Sequence, residues 1–297
     1  MKSMIRAALA ALFLVCAPPA FAQAPSAALF ADPAPDKAHP ARMEVVHIPT
    51  HGVRINGVFY LAGGAGRHPT LIIFHGMPGN EQNLDLAQAV RRLGWNVLTL
   101  HYRGSWGSPG VYSYPHLVED GVAALAYVRA PASVAAYGID PGRIVLAGHS
   151  SGGFVAVNTA VRSAPVQGLV LISGTDDAYE AKAARAAGPL AWRRFVKEAF
   201  DGLETLSGCT PDGLAGQLLA HGSDWTFGAA SPKLAKIPLL VVTSDDGFAP
   251  EGEALAKAVA ALGGAPQVLH FTTDHPYSDH RIALQQTVGG WLAELRP

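Results

Sequence analysis

The most constraining feature of this sequence is the pattern Gly-His-Ser-Ser-Gly at residues 148–152. It lies between a strand-like apolar run at 143–147 and a run of small and apolar residues at 154–161 that is typical of a helix. A strand that turns at once into a helix strains the residue at the turn and needs small flanking residues. The pattern therefore predicts a sharp turn that presents the hydroxyl of Ser150 as a candidate nucleophile. An ordinary turn is the alternative, because glycine and serine are common.

The first residues of the chain differ from the rest. Lys2 and Arg6 precede an uncharged apolar run at 7–17, and small residues follow at the positions that a signal peptidase reads, 20–22. A membrane anchor is the alternative, but this run is shorter than the ~20 residues that span a bilayer. We therefore expect residues 1–22 to be a removed signal peptide, and the mature protein to be secreted or periplasmic without a stable membrane anchor.

Composition limits the partners of the mature chain. The sequence is 49% hydrophobic and 15% charged, which is enough to fill a sizeable core. Without residues 1–22 it has 20 basic and 23 acidic residues, so nucleic acid is not an expected partner. One cysteine, Cys209, remains and cannot form an internal disulfide. The histidines lack paired metal-ligand spacing and no dinucleotide or phosphate fingerprint is present, so we expect no metal and no cofactor.

The order of apolar runs indicates the fold class. Residues 23–42 are rich in alanine and proline and are expected to form an extended leader. Strand-like and helix-like runs then alternate over 43–297, except at about 175–232, where helical pieces follow one another. This alternation predicts an α/β domain with a mostly parallel sheet, helices on both faces and a helical cap insertion. The first two runs, 43–49 and 53–61, predict an antiparallel hairpin.

Two aspartates are candidates for an acid that supports a base. A serine hydroxyl is a weak nucleophile at neutral pH and needs a base, which in turn needs a group that orients it. Asp245 and Asp246 follow the apolar run at 237–242, in a loop at a strand end. Asp246 is preferred because it lies deeper in the loop, and Asp245 is the alternative. Both could instead cap the next helix.

His275 is the candidate base. It follows the last strand-like run, 267–271, and so is expected in a loop at the same edge of the sheet. His270 lies within that run, whereas His280 lies where the last helix is expected to begin. The order serine, acid, histidine is the one that this architecture requires. A structural role is the alternative for a lone histidine.

A second glycine-containing strand end is a candidate oxyanion hole. The apolar run at 71–74 leads into His75, Gly76, Met77 and Pro78. Fixed backbone N–H groups can hold the negative oxygen of a tetrahedral intermediate. We expect the donors to be the N–H groups of Met77 and of Ser151, the residue after the nucleophile; Pro78 has no N–H. A tight turn is the simpler interpretation of this loop.

Together these motifs resemble the α/β-hydrolase superfamily over residues 43–295. The stretch at 101–108 resembles a loop of its dienelactone-hydrolase-like and prolyl-oligopeptidase-like branches. The resemblance implies an α/β-hydrolase fold and a serine hydrolase with Ser150 as nucleophile, His275 as base and Asp246 as acid. Its expected substrates are small carboxylic esters, cleaved through an acyl-enzyme.

Two other functions remain open from sequence. The same groups can cleave amides, as in a serine peptidase or aminopeptidase acting on short peptides, and a fold can also serve as a binding scaffold without catalysis. Four acidic residues are candidates for holding a peptide amine: Asp176, Asp177, Glu180 and Glu198. Four aromatic residues are candidates for an acyl pocket or for core packing: Trp106, Trp192, Trp225 and Phe227.

Overall fold

The structure is a computed structural model that describes residues 26–295, and its centre is an eight-stranded sheet in the order β1-β2-β4-β3-β5-β6-β7-β8. The strands are β1 (Arg42–Thr50), β2 (Val53–Leu61), β3 (His68–Phe74), β4 (Asn96–Leu100), β5 (Ile139–His149), β6 (Gly168–Ile172), β7 (Leu239–Ser244) and β8 (Gln267–Phe271). The helices are α1 (Leu84–Arg92), α2 (Tyr114–Arg129), α3 (Pro131–Tyr137), α4 (Ser151–Arg162), α5 (Asp177–Ala186), α6 (Pro189–Ala199), α7 (Pro211–Trp225), α8 (Phe227–Leu234), α9 (Ala249–Ala261) and α10 (Arg281–Glu294).

Strand direction follows the hydrophobic pattern. β1 and β2 form an antiparallel hairpin, β2 also pairs antiparallel with β4, and the five remaining pairs are parallel. Parallel strands covered on both faces read as continuous apolar runs, and every residue of β6 is buried. Apolar side chains fill a core on each face, with Ile72 and Leu146 on one side and Leu71 and Val145 on the other. The predicted fold class and the opening hairpin are confirmed.

Helix α3 is absent from the predicted elements. It is short, and it follows α2 after the single residue Ala130, so the two helices read as one alanine-rich stretch in the sequence. Two local signals mark it: Pro131 at its first position and Gly138 after its end, with a backbone φ of 59°. Proline at a helix start and left-handed glycine past its end are the usual punctuation of such an element.

The leader is only partly extended. Ala27–Leu29 form a short 3-10 helix, and the Leu29 side chain is buried. The Arg92 Nε donates a hydrogen bond of 2.9 Å to the Ala28 carbonyl, which ties this turn to α1. The predicted signal peptide lies outside the described residues. Within residues 26–295, no helix combines the length and the apolar character that a membrane crossing requires.

Helices α5 to α8 lie between β6 and β7, where the cap is predicted. Their apolar faces pack into the core on one side of the sheet. Trp225 and Phe227 are 6% and 2% exposed, so these two candidates for a pocket are core residues. Trp192 is half-buried and lies against the core cluster. The cap is therefore held by burial of its own aromatic side chains.

A buried ion pair holds the loop after β4 against α2. The Arg103 Nε donates 2.7 Å to Asp120 Oδ1, and the Arg103 backbone N–H donates 2.8 Å to Oδ2. Thr50 Oγ1 donates 2.8 Å to the same carboxylate, whose side chain is 0% exposed. Arg103 also contacts Glu119, whose side chain is 41% exposed. Arg103 therefore has a structural role.

We expect Asp120→Asn to lower the free energy of unfolding by about 3 kcal/mol or more, because it leaves a buried guanidinium without its main counter-charge. The neighbouring change Glu119→Gln removes an exposed partner of the same arginine and is expected to cost at most about 1 kcal/mol. Urea unfolding followed by circular dichroism measures both. Equal decreases in the free energy of unfolding for the two variants would contradict a larger contribution from the buried Arg103–Asp120 pair.

Candidate active site

Ser150 stands between β5 and α4 in a strained conformation. Its φ is 56° and its ψ is −132°, a region that residues with a side chain rarely adopt and that costs about 1–3 kcal/mol. Backbone hydrogen bonds hold it there: its N–H donates 3.1 Å to the Ile172 carbonyl, and its carbonyl accepts 2.7 Å from the Gly153 N–H. The predicted strand-to-helix turn is therefore present.

The glycines of the motif are required by close backbone approach. A Cβ added at Gly148 would lie 2.0 Å from the Gly152 carbonyl oxygen. A Cβ at Gly152 would lie 2.1 Å from the carbonyl oxygen of Phe74, at the end of β3. Both distances are far inside van der Waals contact. The two glycines thus let the turn pass close to the loop that follows β3.

That loop faces Ser150 through Gly76. A Cβ on Gly76 would lie 2.7 Å from Ser150 Cβ and 3.1 Å from Ser150 Oγ. The His75 Nδ1 donates 2.7 Å to the Gly76 carbonyl. Burial lowers the pKa of His75 to about 4, so the ring is neutral when it makes this bond. Because a trans peptide is planar, with C=O and N–H opposed, His75 fixes the direction of the Met77 N–H as well.

The two predicted oxyanion donors have free N–H groups. Ser151 is the first residue of α4, and the first N–H groups of a helix have no intrahelical acceptor. Across residues 26–295, no backbone acceptor is present for the N–H of Met77 or of Ser151. Both groups are therefore available to a ligand, while their role as an oxyanion hole stays a prediction.

We expect Gly76→Ala to reduce kcat on an activated ester by about 100-fold or more, because the added methyl group displaces Ser150 or the donor loop, and small misplacements of reacting groups have effects of this size. Gly216→Ala, in α7, is the matched control, since nothing lies within 4 Å of its added Cβ. Esterase assays on both purified variants test this. Full activity of Gly76→Ala would mean that this loop does not border the reacting atoms.

Asp246 and His275 are in contact. The His275 Nδ1 donates 2.8 Å to Asp246 Oδ2. Ser244 Oγ and the Phe248 N–H donate 2.8 and 2.9 Å to the same carboxylate. Burial acts to raise the pKa of Asp246, but these hydrogen bonds and that of His275 outweigh it and hold the pKa below its usual range. The Asp246 side chain is 3% exposed, against 31% for His275.

The alternative acid, Asp245, lies elsewhere. Its Oδ1 accepts 3.0 Å from His270 Nε2, and that ring accepts 2.9 Å from Thr243 Oγ1 at its other nitrogen. The Asp245 side chain is 55% exposed. His280 contacts Asp279 at the start of α10. The structure thus brings Asp246 to His275, and leaves Asp245, His270 and His280 in other contacts.

His149 connects the Ser150 turn to the His275 loop. Its ring lies 4.7 Å from the His275 ring, centroid to centroid, and its Nε2 donates 3.0 Å to the His275 carbonyl. Burial lowers the pKa of His149 to about 3, so it stays neutral. The side chain of His275 therefore packs on the residue that precedes Ser150. Within residues 26–295 Ser150 Oγ makes no hydrogen bond, so the predicted proton transfer from Ser150 to His275 stays a prediction.

Sequence reasoning missed a hydroxyl network behind Asp246. Ser173 Oγ lies 3.0 Å from Ser244 Oγ and 2.9 Å from the Tyr277 hydroxyl. Both Ser173 and Tyr277 have positive φ, 43° and 58°. Strained residues such as these persist only where the surroundings fix them. No sequence signal marks either residue, because the network joins the ends of three separated segments.

A half-buried carboxyl pair links the cap to the main domain. Glu180 of α5 is hydrogen-bonded to Glu251 of α9, which also accepts from the Asp176 backbone N–H. Burial, and next the charge of Glu251, raise the pKa of Glu180 to about 9; burial raises that of Glu251 to about 7. Such a pair shares a proton at neutral pH.

The four acidic candidates of the cap have different surroundings. Asp176 caps α5 and accepts 2.7 Å from the Phe227 N–H. Asp177 is buried and bonds the side chains of Ser151 and Thr175. Glu180 belongs to the carboxyl pair, whereas Glu198 pairs with Arg194 on the surface at 3.0 Å. Of the four, Asp177 contacts the Ser150 turn, through the side chain of Ser151.

The carboxyl pair predicts a pH dependence of stability. The pKa of Glu180 is about 9 in the folded protein, against about 4.3 in the unfolded chain. The contribution of Glu180 to the free energy of unfolding is therefore fully present below about pH 4.3 and is lost as the pH rises toward about 9. We expect Glu180→Gln to reduce the loss of unfolding free energy between pH 5 and pH 9 by at least about 1 kcal/mol. The exposed Glu253→Gln, also on α9, is the control. If the free energy of unfolding fell equally with pH in Glu180→Gln and in the wild type, a proton shared by Glu180 and Glu251 would be contradicted.

Metal ligation has no support in the described part of the chain. No group of three or more histidine, cysteine, aspartate or glutamate side chains within residues 26–295 is arranged to hold a metal ion. Cys209 is a free, half-buried thiol that packs against the core.

A parallel sheet with a strained serine after β5, an aspartate after β7 and a histidine after β8 defines the α/β-hydrolase class. A sequence model of the alpha/beta hydrolase fold family matches residues 74–275, more than half of the chain. The chain belongs to this family. The matched span includes the Gly76 loop, the Ser150 turn and both members of the Asp246–His275 pair.

The chain is also similar to individual proteins. The chain is 31% identical over 186 residues to the uncharacterized protein Rv2307c of Mycobacterium tuberculosis, a match that covers 62% of this chain and 63% of that protein, less than two thirds of its length. The hyperthermophilic esterase of Pyrobaculum calidifontis is 20% identical, with 86% of both chains covered and a TM-score of 0.64. Carboxyl esterase 2 of the fungus Tuber melanosporum is 18% identical, with 92% and 95% covered and a TM-score of 0.63. The two structural matches show a shared fold.

Proposed function

We propose that this protein is an exported serine hydrolase that cleaves small carboxylic esters through an acyl-enzyme. The observation that carries the proposal is the hydrogen-bonded Asp246–His275 pair beside the strained Ser150 turn. The family assignment and the fold shared with proteins described as esterases support it. An aspartate that accepts from Nδ1 leaves Nε2 of the imidazole to take a proton.

The same groups act in both steps of the proposed reaction, the formation of the acyl-enzyme and its hydrolysis. Ser150 Oγ attacks the ester carbonyl carbon while its proton passes to His275 Nε2. The N–H groups of Met77 and Ser151 hold the negative oxygen of the tetrahedral intermediate. The intermediate collapses as the alcohol leaves with the proton from His275. Water then repeats the sequence on the acyl-enzyme, releases the acid and restores the serine.

A substrate panel tests the activity and separates it from the alternatives. Purified protein is assayed with p-nitrophenyl acetate and butyrate, and with aminoacyl p-nitroanilides. Ester turnover without comparable anilide turnover is the expected result. Faster anilide turnover would instead identify a peptidase with its amine anchor among the acidic residues of the cap. Ligand binding without turnover of any substrate would identify a binding protein and overturn the proposal.

Export has its own test, because it concerns residues 1–22. The full-length chain is produced in a Gram-negative host, and the N-terminus of the periplasmic or secreted protein is sequenced. We expect it to begin at Gln23, after the small residues at positions 20 and 22. Retention in the cytoplasm with an intact N-terminus would contradict export, without bearing on the ester reaction.

A further inference from the structure

An open cleft of about 630 Å³ adjoins the candidate active site. One wall is Pro276, the residue after His275, and another is Trp106. The Trp106 Nε1 donates 2.7 Å to the Pro78 carbonyl, in the loop that contains Met77. The cleft therefore lies between the loop of the proposed base and the loop of a proposed oxyanion donor, and it is open to one half of a bound ester.

Trp106 is a fixed, partly exposed aromatic side chain. It is 36% exposed, and its φ of 47° is in the left-handed region. Its indole N–H is held by Pro78, and its ring stacks on His101 with 6.2 Å between centroids. The ring is therefore not part of the buried core. Its contacts with Pro78 and His101 fix its orientation at the cleft before a ligand binds.

The rest of the cleft offers polar side chains, and its charged ones, Glu81, Asp85 and Arg281, are paired with one another. The side chains of Asn80 and Ser278 are exposed; Asn80 makes no side-chain hydrogen bond within residues 26–295, whereas Ser278 Oγ donates to Asp274 and keeps its acceptor capacity. Gln82 uses its Nε2 on the Gly79 carbonyl, which leaves Oε1 as an acceptor. Arg281 is not available to an anion, because its N–H groups bond the Asp85 carboxylate and the Pro276 carbonyl. The cleft therefore suits a hydroxylated, uncharged group better than a carboxylate or a long alkyl chain.

We propose that this cleft binds the alcohol half of the ester and that this half is a sugar ring. The inference rests on the proposed function and deepens it. A pyranose ring places one C–H face on the indole of Trp106, while its hydroxyls exchange hydrogen bonds with Asn80 and Gln82 and donate to Ser278 Oγ. Aromatic bodies beside a few placed polar groups are the general composition of small-molecule sites. Hydrolysis then releases the acid and returns the sugar with a free hydroxyl.

Turnover of three acetate esters tests the preference. Wild-type protein is compared on a mono-acetylated methyl glycoside, on triacetin and on ethyl acetate, which share the acyl group and differ in the alcohol. We expect kcat/KM to be at least tenfold higher for the glycoside ester than for either other substrate. Trp106→Ala is expected to raise KM for the glycoside ester about tenfold and to remove the preference for it over ethyl acetate. Tyr179→Ala, which removes an exposed aromatic side chain of the cap, is the control and should change neither.

Because Trp106 also holds the Pro78 carbonyl, a second variant separates stacking from loop support. Trp106→Phe keeps an aromatic face but loses the N–H, and we expect it to retain the preference for the glycoside ester. A fall in kcat on all three esters in both variants would assign Trp106 to loop support and overturn the proposal. So would equal wild-type kcat/KM on the three esters, or a preference for triacetin.

A binding measurement keeps the inference separate from the ester reaction. Calorimetry with Ser150→Ala and the acetylated glycoside should show binding that weakens at least tenfold when Trp106→Ala is added. If no ester is turned over but this binding is found, the proposed function fails and the sugar site stands. If esters are hydrolysed and the glycoside binds no better than ethyl acetate, the sugar site fails and the proposed function stands.

Discussion

Ser150→Ala is expected to reduce kcat on p-nitrophenyl acetate by a factor of about 10,000 to 1,000,000, because removing the nucleophile of a serine hydrolase removes the covalent route entirely. The KM should change little, since the substrate contacts remain. Alanine is no more strained than serine at this φ of 56°, so the variant should fold. Initial rates with active-site titration, together with circular dichroism, measure activity and folding.

Ser223→Ala is the matched control for this variant. Ser223 is an exposed residue of α7 whose hydroxyl, among the residues from 26 to 295, donates a hydrogen bond only to the neighbouring Asp224. The control is expected to keep full activity. If Ser150→Ala also kept more than about a tenth of the wild-type kcat, a covalent route through Ser150 would be contradicted, given the losses typical of such changes.

Asp246→Asn is expected to reduce kcat about 10,000-fold, because an amide can donate to Nδ1 and so favours the wrong tautomer of His275. The pKa of Asp246 lies below its usual range, so the carboxylate is ionised at every pH at which the protein is assayed. The loss should therefore persist from pH 6 to pH 9. A pH–rate profile of kcat for the variant and the wild type measures this.

Asp245→Asn provides a control one residue away. Asp245 contacts His270, not His275, so its amide should change kcat by less than about threefold, as expected for a surface group that touches no reacting atom. The reverse result, a large loss at Asp245 and a small one at Asp246, would place the acid on the other side chain. It would also mean that the loop after β7 is arranged differently in the working protein.

Much of the fold could be predicted because burial imposes short-range patterns. β6 is covered on both faces, so its residues are continuously apolar and its position is clear from the sequence. The Ser150 turn could be located because the glycines at 148 and 152 are forced by backbone approach, which leaves a trace in the sequence. The hairpin of β1 and β2 is local and has its own turn.

The details of the site depend on side-chain direction, which sequence spacing does not determine. Asp245 and Asp246 are adjacent, and only the turn that carries the Phe248 N–H to Asp246 makes one of them face His275. The ring contact of His149 with His275 joins residues 126 positions apart. Trp106 lines the cleft with its N–H bonded to Pro78, 28 positions away. These contacts join separated segments, so no local pattern indicates them.

Covalent labelling tests most directly whether Ser150 is the nucleophile. The wild-type protein is treated with a fluorophosphonate at neutral pH, and the adduct is located by peptide mass mapping. We predict one phosphonyl group per chain, on the peptide that contains Ser150, with loss of esterase activity in proportion to labelling. An adduct on a different residue, or hydrolysis that continues after Ser150 is fully labelled, would contradict the proposed mechanism.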